Sequence, residues 1–185
     1  MDIPLHEGFP VAAMSRLLIR EAAVHARQVL QLPQGRINIP RMLDGLTAYG
    51  IYYDVFDEES APVPREVEAC WVTEARTLYI RDTVFDQMCR GGQRAVFTVG
   101  HEMGHAVLAH RRTLNRQSAA GIPIYCNSEW QANRFSAEFT MNLAEIQRYG
   151  LMTSQAIADH FGVSPAAARV RLTDLLQKDE LKKKP

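Results

Sequence analysis

Residues 99–107, Val99-Gly100-His101-Glu102-Met103-Gly104-His105-Ala106-Val107, restrict this chain more than any other stretch. They contain the pattern His-Glu-x-x-His. On an α-helix each residue turns by about 100°, so His101 and His105 stand about 40° apart on one face, one turn along. Two imidazoles at that spacing can hold one tetrahedral zinc ion. Glu102, about 100° round from His101, lies beside such an ion, where a carboxylate can act as a base. The competing reading is an amphipathic helix carrying two surface histidines. Phe97, Val99, Val107 and Leu108 make the helix too apolar for that and send the histidines into an interior. Gly104 costs a helix interior about 1 kcal/mol relative to Ala. With Gly100 it forms a smooth flank beside the histidines, which predicts close approach of a neighbouring backbone.

A second helix is expected from Asn127-Ser128 to Leu143, with Glu129, Ala132, Ser136, Phe139 and Leu143 on one face. That inward face begins with a carboxylate, and a carboxylate on a buried face needs a partner such as a cation. Glu129 is therefore a candidate third ligand. Its other reading is an N-terminal carboxylate favoured by the helix dipole. Asn133, one turn on, is placed to hydrogen-bond a ligating histidine from behind. Glu138 lies about 180° round from Glu129, so the two cannot face one ion. His110, nine residues past His101, falls on the far side of the first helix and is excluded as a ligand while that helix stays regular.

Around this pair the chain alternates in character. A helical stripe (Val11, Met14, Leu17, Leu18, Val24, Leu30) predicts a helix over 10–32, ended by Pro33. Asn38-Ile39-Pro40 opens a short helix to about residue 48. Strands are expected at 51–56, 67–72 and 77–80, forming a small sheet that is at least partly a hairpin. An edge strand of such a sheet can pair with an extended peptide. A short helix over 82–90 is broken by Gly91-Gly92 before the His-Glu-x-x-His helix, about 93–110. Residues 111–128 form an irregular loop and a rim to the site.

The totals exclude several classes. The 185 residues fit one domain with a small appendage, and 46% hydrophobic residues suffice for a core. Twenty-one basic and 21 acidic residues cancel, so no global charge draws the chain to nucleic acid or membrane. No apolar run approaches the roughly 20 residues of a membrane span. The N-terminus lacks the basic start and apolar run of a signal peptide. Cys70, Cys89 and Cys126 are odd in number and lack paired spacing, which reads as reduced thiols in the cytoplasm.

Residues 151–185 differ. Thr153 to Phe161 is a capped short helix, Gly162-Val163-Ser164 a turn, and Pro165 starts a second helix to Gln177, a helix-turn-helix pattern. Arg169 and Arg171 lie on the second helix. The span holds six Lys/Arg against four Asp/Glu, three of the six being Lys182-Lys183-Lys184, a weak footprint for DNA. Direct DNA binding is thus possible but not favoured over two helices that pack on the core or hold a partner. The tail past Lys178 is expected to fray. The division is a domain over 1–150 and a helix-turn-helix-like segment over 151–185.

Together, the His-Glu-Met-Gly-His helix, Glu129-x-x-Ala132-Asn133-x-Phe135 with Met141, and Ile157-Ala158-x-x-Phe161-x-Val163-Ser164 leading to Arg171-Leu172 resemble the ImmA/IrrE family of zinc metallopeptidases. The resemblance covers about residues 38–176. It implies an α+β fold with a minimal thermolysin-like zincin core of the gluzincin kind. It also implies Zn2+ held by His101, His105 and Glu129, with Glu102 as base. The implied partner is a helix-turn-helix repressor whose cleavage derepresses prophage, mobile-element or stress-response genes. Ser136, where the family usually has Ala, and Asn142, where a Pro often stands, depart from the pattern outside the ligand set. Tyr125, Tyr79 and Arg134 are candidate oxyanion stabilisers. The alternative reading is a DNA- or repressor-binding regulatory protein with a structural or non-catalytic zinc site.

Overall fold

The structure, a computed structural model, describes residues 8–57, 59–60, 66–111 and 121–181. Most of the expected rim loop, residues 112–120, and the lysines of the tail lie outside this set, as do residues 1–7. Among the described residues are eight α-helices and one three-stranded sheet. Helix α1 spans Arg16–Val29, α2 Ile39–Gly45, α3 Asp82–Cys89 and α4 Gln93–Val107. Helix α5 spans Ser128–Thr140, α6 Leu143–Arg148, α7 Ser154–Phe161 and α8 Pro165–Gln177. Strands β1 (Tyr52–Phe56), β2 (Ala69–Val72) and β3 (Thr77–Arg81) follow α2.

Helix α1 begins later than its apolar stripe suggests. Residues 9–14 instead run beside residues 125–128. Val11 N donates to Cys126 O at 2.9 Å, Met14 N to Tyr125 O at 3.0 Å, and Ser128 N to Phe9 O at 3.1 Å. With those donors satisfied by another segment, the helix starts only where Ser15 caps it, its hydroxyl accepting from Leu18 N.

The sheet order is β1-β3-β2. β2 and β3 form the expected hairpin, and β1 adds parallel to the other side of β3. β2 is therefore an edge strand. Helices α4 and α5 cross closely. A methyl on Gly104 would lie 3.0 Å from Ala132 Cα and 3.1 Å from its carbonyl oxygen, so the expected backbone approach occurs there. At Gly100 the neighbour is a side chain, Ser136, whose hydroxyl donates to Phe97 O at 2.9 Å. The serine that departs from the family pattern thus joins the two helices. Asn142, the second departure, caps α6 by accepting from Glu145 N.

The main core gathers residues of α1 to α5 and β3, including Ile19, Met42, Ile80, Val99, Met103 and Phe135. A second core, Met141, Leu143, Ile146, Ile157, Phe161, Ala168 and Leu175 among others, unites α6, α7 and α8. Ion pairs tie α8 back to the main core. Arg171, 2% exposed, grips Glu138 of α5, 1% exposed, through two bonds of 2.9 and 2.6 Å. Asp174 accepts from Arg16 of α1 and Arg134 of α5. Among the described residues no helix is long and apolar enough to cross a membrane.

Candidate active site

Helix α4 presents His101 and His105 one turn apart, and their Nε2 atoms lie 3.1 Å from each other. Glu129 enters from the first turn of α5, which Asn127 caps through Trp130 N. Its two carboxylate oxygens stand 3.1 Å from His101 Nε2 and 3.3 Å from His105 Nε2. Glu102 is beside them, with a donor atom within 4.8 Å of one on each histidine. One of its oxygens, Oε2, accepts from Trp71 N of β2 at 2.9 Å.

The donor set fits a single tetrahedral ion. Two ligands each about 2.0–2.1 Å from a zinc centre stand about 3.3 Å apart, close to the three separations found. Asn133 Oδ1 lies 3.1 Å from His101 Nδ1 and, as an oxygen, can only accept. The proton of His101 is then on Nδ1, and its Nε2 lone pair faces His105 and a carboxylate. A cation at its centre, or a proton on His101 Nε2 donated to Glu129, answers that convergence. Glu129 turns both oxygens to the histidines, whereas Glu102 Oε2 is held by Trp71 N.

The charges reinforce one another. Burial acts to lower the His101 pKa, but the hydrogen bond to Glu129 and the charges of Glu102 and Glu129 outweigh it, so the imidazole is raised above its ordinary value. Burial acts to raise Glu129, yet the two histidines hold it well below the usual carboxylate range. Glu102 is raised, chiefly by burial, against the charges of His105 and His101. Burial and the nearby Glu102 push the Cys70 thiol up to about 11, which makes it a poor nucleophile. Cys126, half-buried, contributes its carbonyl to the strand-like pairing with Val11.

The three expected oxyanion donors separate. Arg134 directs both terminal nitrogens at Asp174 and lies over the Trp130 ring. Tyr79 sits on the central strand, paired in register with Cys70 and Asp54. Tyr125 is exposed on the short 3-10 turn before α5.

His110 is where helix geometry alone misleads. The helix does not stay regular: it ends at Val107, and Ala109 takes a left-handed φ of 53°. The chain doubles back and brings His110 Nδ1 to 3.0 Å from His105 Nδ1. His110 therefore stands directly behind His105. Its Nε2 meets Gln131 Oε1 at 2.9 Å, and burial lowers its pKa to about 4. Phe9 covers both imidazoles, its ring centre 6.5 Å from each. Gln131 could have been noticed as a polar residue on a helix side that is otherwise buried; the turn at Ala109 left no signal.

The chain is thus an α+β fold with a His-Glu-His group on α4 that could hold a metal ion. Residues 91–173 match the family model Peptidase_M78, described as the IrrE N-terminal-like domain, which supports the expected resemblance to the ImmA/IrrE family. A solved structure, a Mycobacterium tuberculosis transcriptional regulator, matches with a TM-score of 0.51 and 13% identity. The match covers 86% of this chain and 52% of that one, so this chain spans about half its length, and the likeness is one of fold. No curated protein matches the chain.

Proposed function

We propose that this protein is a zinc-dependent endopeptidase of the cytoplasm that cuts a helix-turn-helix transcriptional repressor. Cleavage would relieve repression of prophage, mobile-element or stress-response genes. The observation that carries the reading is the convergence of His101 Nε2, His105 Nε2 and both Glu129 oxygens, with Glu102 alongside. His101, His105 and Glu129 would hold the ion. Bound there, zinc would supply a Lewis acid that polarises a peptide carbonyl and acidifies water.

The protein's own groups do the rest. Glu102 accepts a proton and returns it to the leaving amine. Its raised pKa suits both halves of that task, because a buried carboxylate binds a proton more readily. Trp71 N–H fixes Glu102 Oε2 and leaves Oε1 to receive the proton. β2, an edge strand bordering α4, offers backbone groups to an extended peptide. For the oxyanion we propose Tyr125 or Tyr79, since Arg134 is committed to Asp174.

The test is to present wild type and Glu102→Gln protein, each loaded with zinc, to lysate of the source cells. New peptide termini made by the wild type alone, with the uncut protein retained by the variant, are expected. Equal cleavage by both would sink the mechanism.

A second reading is a regulatory protein that binds DNA or a repressor, with zinc structural or absent. The α7–α8 pair, turned at Gly162 with φ 62°, favours it. Its weakness is Arg171, which faces Glu138 inside the fold and leaves Arg169 as the other arginine of α8 for DNA. Salt-dependent binding to a specific duplex, lost in Arg169→Ala, would support this reading.

A further inference from the structure

We infer that His110 and Gln131 are positioning residues that hold His105 in the tautomer whose Nε2 lone pair is free for the metal, and that the backbone carbonyls of Ala12 and Tyr125 set the direction of this chain of hydrogen bonds. The inference rests on the metal-site reading above. Gln131 Nε2 lies 2.8 Å from Ala12 O and 2.8 Å from Tyr125 O. Carbonyl oxygens only accept, so the amide NH2 group must face them and Oε1 must face His110. Oε1 accepts from His110 Nε2–H at 2.9 Å. With its proton on Nε2, neutral His110 has a bare Nδ1, and that atom accepts from His105 Nδ1–H at 3.0 Å. His105 then carries its one proton on Nδ1, and its Nε2 points at His101 Nε2 and Glu129 as an electron pair.

The two links between the side chains are buried, and the two to the backbone carbonyls are half-buried. Gln131 is 0% exposed, His110 4% and His105 9%, so water does not compete for the bonds among these three side chains. The polarity of the site is thus anchored at two backbone points, one on the segment before α1 and one on the turn before α5. These two segments are themselves joined by Met14 N and Tyr125 O. The bland alternative is that His110 only fills space behind His105. Space-filling would tolerate any ring of similar size; orientation of the tautomer requires an acceptor at the Nδ1 position.

Two measurements on the full chain separate these readings. Zinc affinity is read by competition with a chromophoric chelator for wild type, His110→Phe and His110→Asn, with folding checked by thermal melting. His110→Phe keeps a ring but no acceptor and is expected to weaken zinc binding about 10- to 100-fold. His110→Asn can place its amide oxygen near the former Nδ1 and is expected to lose less. An unchanged His110→Phe, or an Asn variant as weak as the Phe variant, would overturn the inference. The second measurement needs no variant. In the 15N-labelled, zinc-loaded wild type, a scalar coupling across the bond between His105 Nδ1 and His110 Nδ1 is expected, with a slowly exchanging proton between them. Its absence overturns the inference even if the variants do not fold. A wild type that takes up no zinc overturns the metal-site reading together with this one; a wild type that loads zinc without the coupling overturns this one alone.

Discussion

The backbone N–H of Trp71 donates to Glu102 Oε2 at 2.9 Å, joining the edge strand β2 to the acid–base candidate on α4. The contact spans 31 residues and, among the described residues, leaves Glu102 Oε1 without a hydrogen bond. Glu102→Gln preserves the acceptor for Trp71 but not the base. It is expected to bind zinc as the wild type does while losing about 10²- to 10⁴-fold in kcat, the usual worth of general acid–base catalysis. Metal content by atomic spectroscopy beside turnover on an identified cleavage-site peptide checks both halves.

Glu129 and Asn133 should separate by magnitude. Glu129→Ala removes a donor that touches both histidines and is expected to abolish stoichiometric zinc uptake. Asn133→Ala removes only the acceptor behind His101 and should weaken affinity about 10- to 100-fold. Equal affinities for the two variants in a chelator titration would contradict the assignment of Glu129 as a direct ligand.

At Gly104 two effects oppose. Alanine favours a helix interior by about 1 kcal/mol over glycine. Its methyl would meet Ala132 Cα at 3.0 Å and the Ala132 carbonyl at 3.1 Å. Helix backbone cannot yield locally, and overpacking of this kind costs about 1–3 kcal/mol. Gly104→Ala is therefore expected to destabilise in denaturant unfolding and, by pushing α5 outward, to weaken zinc binding through Glu129.

Arg171 answers to Glu138 inside the protein. Removing one member of a buried pair costs about 3–5 kcal/mol when the other charge is left alone; Arg20, which also bonds Glu138 Oε1 at 3.1 Å, offsets part of that cost here. Arg171→Ala should show a loss at or below the lower end of that range in chemical denaturation, whereas Arg169→Ala on the same helix should fall within about 0.5 kcal/mol of wild type, as surface substitutions do.

Asp174 sets an acid limit on the docking of α8. Burial acts to raise its carboxyl, but the hydrogen bonds and charges of Arg16 and Arg134 prevail and hold it well below its ordinary value of 3.8. A carboxylate depressed in the folded state stabilises it fully above the unfolded value and loses that contribution as the pH falls through and below it. Wild type should lose stability below about pH 4, the ordinary aspartate range. Asp174→Asn should be less stable near neutrality, and the gap to wild type should close toward pH 2 in a series of thermal melts.

Local periodicity made much of the fold legible. The spacing of His101 and His105, the carboxylate at the first turn of the next helix, Asn133 one turn beyond it and the punctuation at Gly91-Gly92 and Ser164-Pro165 all depend on residues a few positions apart. Each of those patterns has its counterpart in α4, α5, α7 and α8. The small sheet was legible as three strands, while the parallel placement of β1 against β3 was not.

Apolar spacing overstated α1, because it does not reveal that Val11 and Met14 donate to Cys126 and Tyr125, more than 100 residues away. Angular arithmetic placed His110 across the helix, because it assumes a helix that continues; one left-handed residue, Ala109, returned it to His105. Arg134 and Arg171 read as free cations until Asp174 and Glu138 were brought to them by packing of α8 on α5 and α1. The spacing of His101 and His105 is a property of one helix, so nearest-neighbour geometry specifies it. Asn133, Gln131 and the Ala12 carbonyl, which stand behind the two histidines, come from segments far apart in the chain, and hydrogen bonds between such segments exist only once the cores have closed.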